Sequence, residues 1–119
     1  MAPIPFPSRG EIWLIDFDPS VGAEIRKIRP AVVISLDSIG SLPLRLIVPV
    51  TEWKPRFSAL PWFTELRADP LNGLFKDSGA DAFQVKSVSV ARFVRRLGIV
   101  TAMQLEQISS RIALCVGAP

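Results

Sequence analysis

Short apolar runs broken by proline fill most of the chain, and only the last twenty or so residues switch to a helical period. Residues 10–18 (GEIWLIDFD), 30–36 (PAVVISL) and 44–51 (LRLIVPVT) are β-branched and apolar on both faces. That pattern predicts three short strands of a small, highly curved barrel. Residues 62–67 (WFTELR) and 80–88 (ADAFQVKSV) alternate apolar with polar side chains and predict a fourth and a fifth strand. The segment DSIGSLP supplies a turn between the second and third strands, and DPLNGLFKDSG a loop between the fourth and fifth. Pro49 lies inside an apolar run, where a residue without an N–H predicts a strand edge or a bulge.

The C-terminal segment predicts one helix. Thr101 followed by Gln104 makes a capping box, Val100 can staple onto Leu105, and Leu105, Ile108, Ile112 and Cys115 recur at helical spacing. Gly117 and Pro119 end the run. Thr101 is therefore read as a helix cap and Cys115 as a small core residue. The expected fold class is α+β and β-rich: five or so strands followed by one packed helix, in a single domain spanning residues 1–119.

Composition narrows the chemistry. The chain of 119 residues has no His, which removes Ser-His-Asp triads, His-His ribonuclease pairs and His-ligated metal sites. One Cys rules out an internal disulfide and a Cys-based zinc site. Fourteen Lys and Arg against eleven Asp and Glu give a net charge of +3, mildly suited to a polyanion. The start MAPIPFPS lacks the basic and long apolar parts of a secretory signal, and no apolar stretch approaches the ~20 residues of a membrane span. The expectation is a soluble, cytoplasmic protein without membrane, metal or cofactor.

Three segments place charge between apolar strands. Residues 20–30 (SVGAEIRKIRP) carry Glu24, Arg26, Lys27 and Arg29 around Gly22, a carboxylate and three cations suited to a phosphodiester. Residues 51–57 (TEWKPRF) interleave Lys54 and Arg56 with Trp53 and Phe57, and Trp62 and Phe63 follow. Unpaired bases stack on exposed aromatics at about 1–3 kcal/mol each while cations track the backbone. Residues 92–96 (RFVRR) form a compact basic cluster whose ordinary explanation is a solvated face.

Read in order, residues 9–35 (RGEIWLIDFDPSVGAEIRKIRPAVVIS), 47–51 (IVPVT) and 72–88 (NGLFKDSGADAFQVKSV) resemble the MazF/PemK toxins of bacterial toxin–antitoxin modules. The resemblance covers about four-fifths of the chain by this reading and fades between residues 52 and 69. It implies a small SH3-like barrel with a C-terminal helix, acting as a homodimer, held by a cognate antitoxin, and cutting single-stranded RNA without a metal or other cofactor. Residue by residue, it implies catalytic roles for Arg29 and Thr51 and an activity-linked role for Glu24. Gln84 and Ser87 fall on the family's late-strand Gln and small hydroxyl residue. Together with Arg26, Lys27, Trp53, Lys54, Arg56 and Lys86, they make up the expected RNA-binding set. Two positions depart from the family pattern: Glu52 stands where a second hydroxyl is common, and Phe83 where an acid commonly precedes the Gln. Asp81, two residues earlier and so on the same strand face, can take over that acid's role.

The chemistry implied is attack of a 2′-OH on the neighbouring phosphate. It needs a base, for which Glu24 is the candidate, a donor for the leaving oxygen and cations for charge building on phosphorus, with Arg29 as phosphate clamp and possible acid and Thr51 as a hydrogen-bond donor to the phosphate. Two rivals from other classes share such a barrel: a CcdB-like toxin that binds DNA gyrase without an active site, and a plain nucleic-acid-binding domain.

Overall fold

Seven strands and one helix follow one another in the computed structural model, which describes residues 6–17, 27–39 and 41–119. They are β1 (Glu11–Asp16), β2 (Ile28–Val33), β3 (Leu44–Glu52), β4 (Phe63–Leu66), β5 (Ser78–Asp81), β6 (Lys86–Ser89), β7 (Phe93–Ile99) and α1 (Ala102–Cys115). All pairings are antiparallel, in the order β4-β5-β3-β2-β1-β7, with β6 also paired to β3. The β-rich α+β expectation holds.

The sheet buries both faces, which is why its strands read as apolar on both sides. Ile12, Val32, Val48, Val50, Leu66 and Ala80 form one core cluster, closed by Ile108 of α1 with Leu105 and Ile112 packed beside it. Ile15, Ala31, Val33, Ile47, Val88 and Phe93 form a second cluster on the opposite face. The parity is that of neighbouring strand positions pointing to opposite sides.

Three expectations need correcting. Residues 80–88 are not one strand: β5 and β6 run along the same edge of β3, separated by a 3-10 turn at Ala82–Gln84. The register shifts by three residues across that turn, so Ala82, Phe83 and Gln84 are extruded from the ladder. The basic segment at 92–96 is exposed as expected at Arg92, Arg95 and Arg96, but from Phe93 onward it is also the start of β7, an unforeseen edge strand on β1. Two register shifts against β1 and a run of exposed residues from Val94 to Arg96 hide its alternation. Arg96 donates to the Glu11 carboxylate at 2.8 Å, and Arg92 donates to the Asp16 carbonyl at 3.2 Å.

Pro49 does not meet its expectation of a strand edge or a bulge: it lies inside β3, a central strand, in unbroken register with β2. Ile34 N–H donates to the Leu46 carbonyl, so Val32–Val48 and Pro30–Val50 are the hydrogen-bonding positions of the β2–β3 ladder. Pro49, opposite Ala31, therefore turns its nitrogen away from β2 toward the break between β5 and β6. Pro30 has no N–H to give at the next bonding position, and the ladder ends there.

The helix starts as the sequence predicts. Gln104 N–H donates to Thr101 Oγ1 at 3.1 Å, and Gln104 Oε1 accepts from Thr101 N–H at 2.9 Å. Thr101→Ala removes half of this box and is expected to cost about 1 kcal/mol, read as a lower urea midpoint at unchanged slope.

Candidate active site

Continuing the β2–β3 register two places past Ala31–Pro49 brings Arg29 opposite Thr51. Each is held from its outer side: Arg29 pairs with Ile15 of β1 and Thr51 with Gly79 of β5. Between them lies the gap left by Pro30. Both side chains are exposed and lie on the face opposite the helix, beyond the edge of the second core cluster.

A cleft of about 710 Å³ opens on this face. Arg29, Thr51 and Pro49 line it, and Lys27, Arg56 and Lys86 bring three more cations. Among the described lining residues Asp81 is the one carboxylate, and no described carboxylate lies in ion-pair range of the four cations. The Lys86 ammonium sits 4.7 Å above the Phe17 ring, which fixes one wall. A second cleft of about 510 Å³ adjoins the first and shares Arg29, Val50 and Thr51 with it. Arg29 and Thr51 thus stand on the ridge that the two grooves share.

Asp81 is half-buried and caps the 3-10 turn. Its Oδ1 accepts from Phe83 N–H at 3.1 Å and its Oδ2 from Gln84 Nε2 at 3.1 Å. Each carboxylate oxygen accepts up to two hydrogen bonds, so both keep an acceptor site for a substrate hydroxyl. Glu52 is held at the second cleft by Lys54 at 3.7 Å and Lys76 at 3.8 Å.

The expected site residues do not all converge. Arg29, Thr51, Lys27, Arg56, Asp81, Gln84 and Lys86 line the first cleft, and Lys54 lines the second. Trp53 is half-buried and meets Phe57 and Phe63 edge-on, with ring centroids at 5.6 and 6.5 Å. A Cβ at Gly79 would come within 2.9 Å of Phe63 and 3.0 Å of Trp53, so this aromatic wall needs glycine beneath it. Ser87 neighbours Lys86 in β6 and so takes the opposite face, away from the cleft. Glu24 and Arg26 lie outside the described residues.

Sequence reasoning missed Asn72, which is buried at 2% exposure. Its Oδ1 accepts from the N–H groups of Asp69 and Leu74, and its Nδ2 donates to the Arg67 carbonyl at 2.7 Å. That network shapes the loop that brings Leu74, Phe75 and Lys76 to the second cleft. An Asn-Gly pair two residues after a proline was its only trace in the sequence.

A bent antiparallel sheet, one terminal helix and a cationic cleft at the ends of the central strands define the class of protein. The sequence profile described as the PemK-like, MazF-like toxin of type II toxin–antitoxin systems matches residues 8–116, and the chain belongs to that family. It is 36% identical to Endoribonuclease MazF9 of Mycobacterium tuberculosis over 112 residues, spanning 89% of this chain and 92% of that protein. Among solved structures, MazE-MazF (Form-II) from Deinococcus radiodurans superposes with a TM-score of 0.77 at 22% identity, covering 99% of this chain and 100% of that one. A mycobacterial endoribonuclease in complex with its cognate antitoxin gives a TM-score of 0.73 at 19% identity, covering 96% and 98%. At those identities the structural likeness establishes the fold alone.

Proposed function

We propose that the protein is the endoribonuclease toxin of a toxin–antitoxin pair, cutting single-stranded RNA across the Arg29–Thr51 ridge without a metal. The observation that carries this reading is the alignment of Arg29 with Thr51 in a cleft that holds, among the described residues, four cations and one carboxylate. In the reaction, Asp81 removes the proton from a 2′-OH, and that oxygen attacks the adjacent phosphorus. The bond from phosphorus to the 5′ oxygen breaks, leaving a 2′,3′-cyclic phosphate and a 5′-OH end. Arg29 grips the non-bridging oxygens with its planar fork, and Thr51 donates one hydrogen bond to the same group. A guanidinium is a reluctant proton donor, so the leaving oxygen takes its proton from solvent, which the open cleft admits.

An acidic, initially disordered antitoxin tail suits the same cationic groove. Exposed Leu42, just before β3, with Leu44 and Leu46 at its start, offers an apolar patch for a second copy of the chain in a homodimer. The setting in which such a toxin meets its RNA is the bacterial cytoplasm.

Purified protein incubated with a long RNA in EDTA is expected to yield discrete fragments. Intact RNA, with cutting restored only by a divalent cation, would refute the metal-free mechanism. Asp81→Asn keeps the turn cap, because an Asn oxygen still accepts from Phe83 N–H. It is expected to lower cleavage about 100-fold with the unfolding midpoint unchanged. Activity equal to wild type would take the base role away from Asp81.

A further inference from the structure

We propose that Phe83, braced by Trp62, is a stacking platform for an unpaired nucleobase at the rim of the cleft. The inference rests on the nucleic-acid reading of that cleft and extends it to a residue that lines neither groove. Phe83 is 65% exposed, a costly place for a phenyl ring unless something covers it. The backbone holds it there. Its N–H is capped by Asp81, and Ala82 N–H donates to the Trp62 carbonyl at 3.2 Å, tying the extruded turn to the segment before β4.

The ring geometry separates a platform from a packing contact. Phe57 and Phe63 stack at 4.0 Å and 10°, each under a tenth exposed, so neither face is free. Trp62 and Phe83 instead stand 5.7 Å apart with their planes tilted by 54°. A base inserted between them would need two contact distances of ~3.5 Å each, more than this gap provides. The base therefore lies on the outer face of Phe83, while Trp62 supports the ring from the cleft side. Trp62 itself lines the cleft with Arg29, Arg56 and Lys86. A base on Phe83 then belongs to a nucleotide close to the phosphate those cations hold. Stacking reads the π-face of a base and not its edge, so the subsite accepts any base and favours purines by contact area.

The test uses two probes that cannot be cut: 2′-O-methyl heptaadenylate, and an abasic heptamer with the same backbone. Binding of each to wild type, Phe83→Ala and Phe83→Trp is followed by fluorescence anisotropy. Phe83→Ala is expected to weaken the adenylate about tenfold and to leave the abasic chain unchanged, while Phe83→Trp binds both as wild type does. On cleavable RNA the alanine variant raises KM by a similar factor with kcat nearly constant. Equal weakening of both probes, or of neither, overturns the platform. Base-dependent loss in Phe83→Ala, together with a wild-type protein that fails to cut RNA, would leave the platform standing and remove the ribonuclease reading.

Discussion

Replacing Arg29 with alanine is expected to lower RNA cleavage by about 100- to 1000-fold while leaving the fold unchanged. The side chain is exposed, and no described hydrogen bond or ion pair depends on it, so its removal costs the folded state within about 0.5 kcal/mol. In the proposed mechanism its part lies in the transition state, where two negative oxygens of the phosphorane would face one planar fork. Losing such a donor costs about 2.7–4 kcal/mol, and the loss falls on kcat more than on KM because the other three cations still hold the ground state. Arg29→Lys keeps the charge without the fork and is expected to recover only a small part of the rate. Cleavage by the alanine variant at the wild-type rate would remove Arg29 from the mechanism.

A single deoxyribonucleotide placed immediately 5′ of the cut is expected to abolish cleavage there while leaving neighbouring cuts intact. The attacking oxygen is then missing, and nothing in the proposed chemistry substitutes for it. Binding is expected to stay close to that of the all-ribose strand, since the cations hold phosphates and not sugars. The contrast between lost cutting and retained binding separates a missing nucleophile from a misplaced substrate. Continued cutting at the modified position would mean that water attacks instead.

Much of the architecture was legible because local rules and tertiary structure agree. The capping box at Thr101 and Gln104, and the apolar helix positions around Ile108, needed no knowledge of the rest of the chain. β1, β2 and β3 were legible because burial on both faces gives continuous apolar runs. β5 and β7 were not. The sequence SGAD of β5 is buried by its small size beneath Trp53 and Phe63, which no hydrophobic pattern signals. β7 is an edge strand whose register shifts twice against β1, so its alternation never forms.

The site shows the same division. Arg29 and Thr51 stand at strand ends whose residues were readable, so their meeting follows from the β2–β3 register. The turn at Ala82–Gln84 was invisible in an alternating segment, because extruding three residues depends on the long partner β3. Once the turn exists, Phe83 is an exposed ring at the rim of the cleft and Asp81 a cap facing into it. Trp53, chosen because it sits among Lys, Pro and Arg, supports an aromatic wall with Phe57 and Phe63. Exposure depended on the neighbours it meets in space and not on those beside it in sequence.

The most direct measurement is the chemistry of the ends made in EDTA by wild type and by Arg29→Ala, compared on one RNA. Fragments are treated with polynucleotide kinase and labelled ATP without prior phosphatase. Wild-type fragments are expected to accept label at once, because each cut leaves a 5′-OH, and the variant to produce almost no labelled ends. Wild-type fragments that accept label only after phosphatase treatment, or a variant that labels as strongly as wild type, would contradict the proposed mechanism.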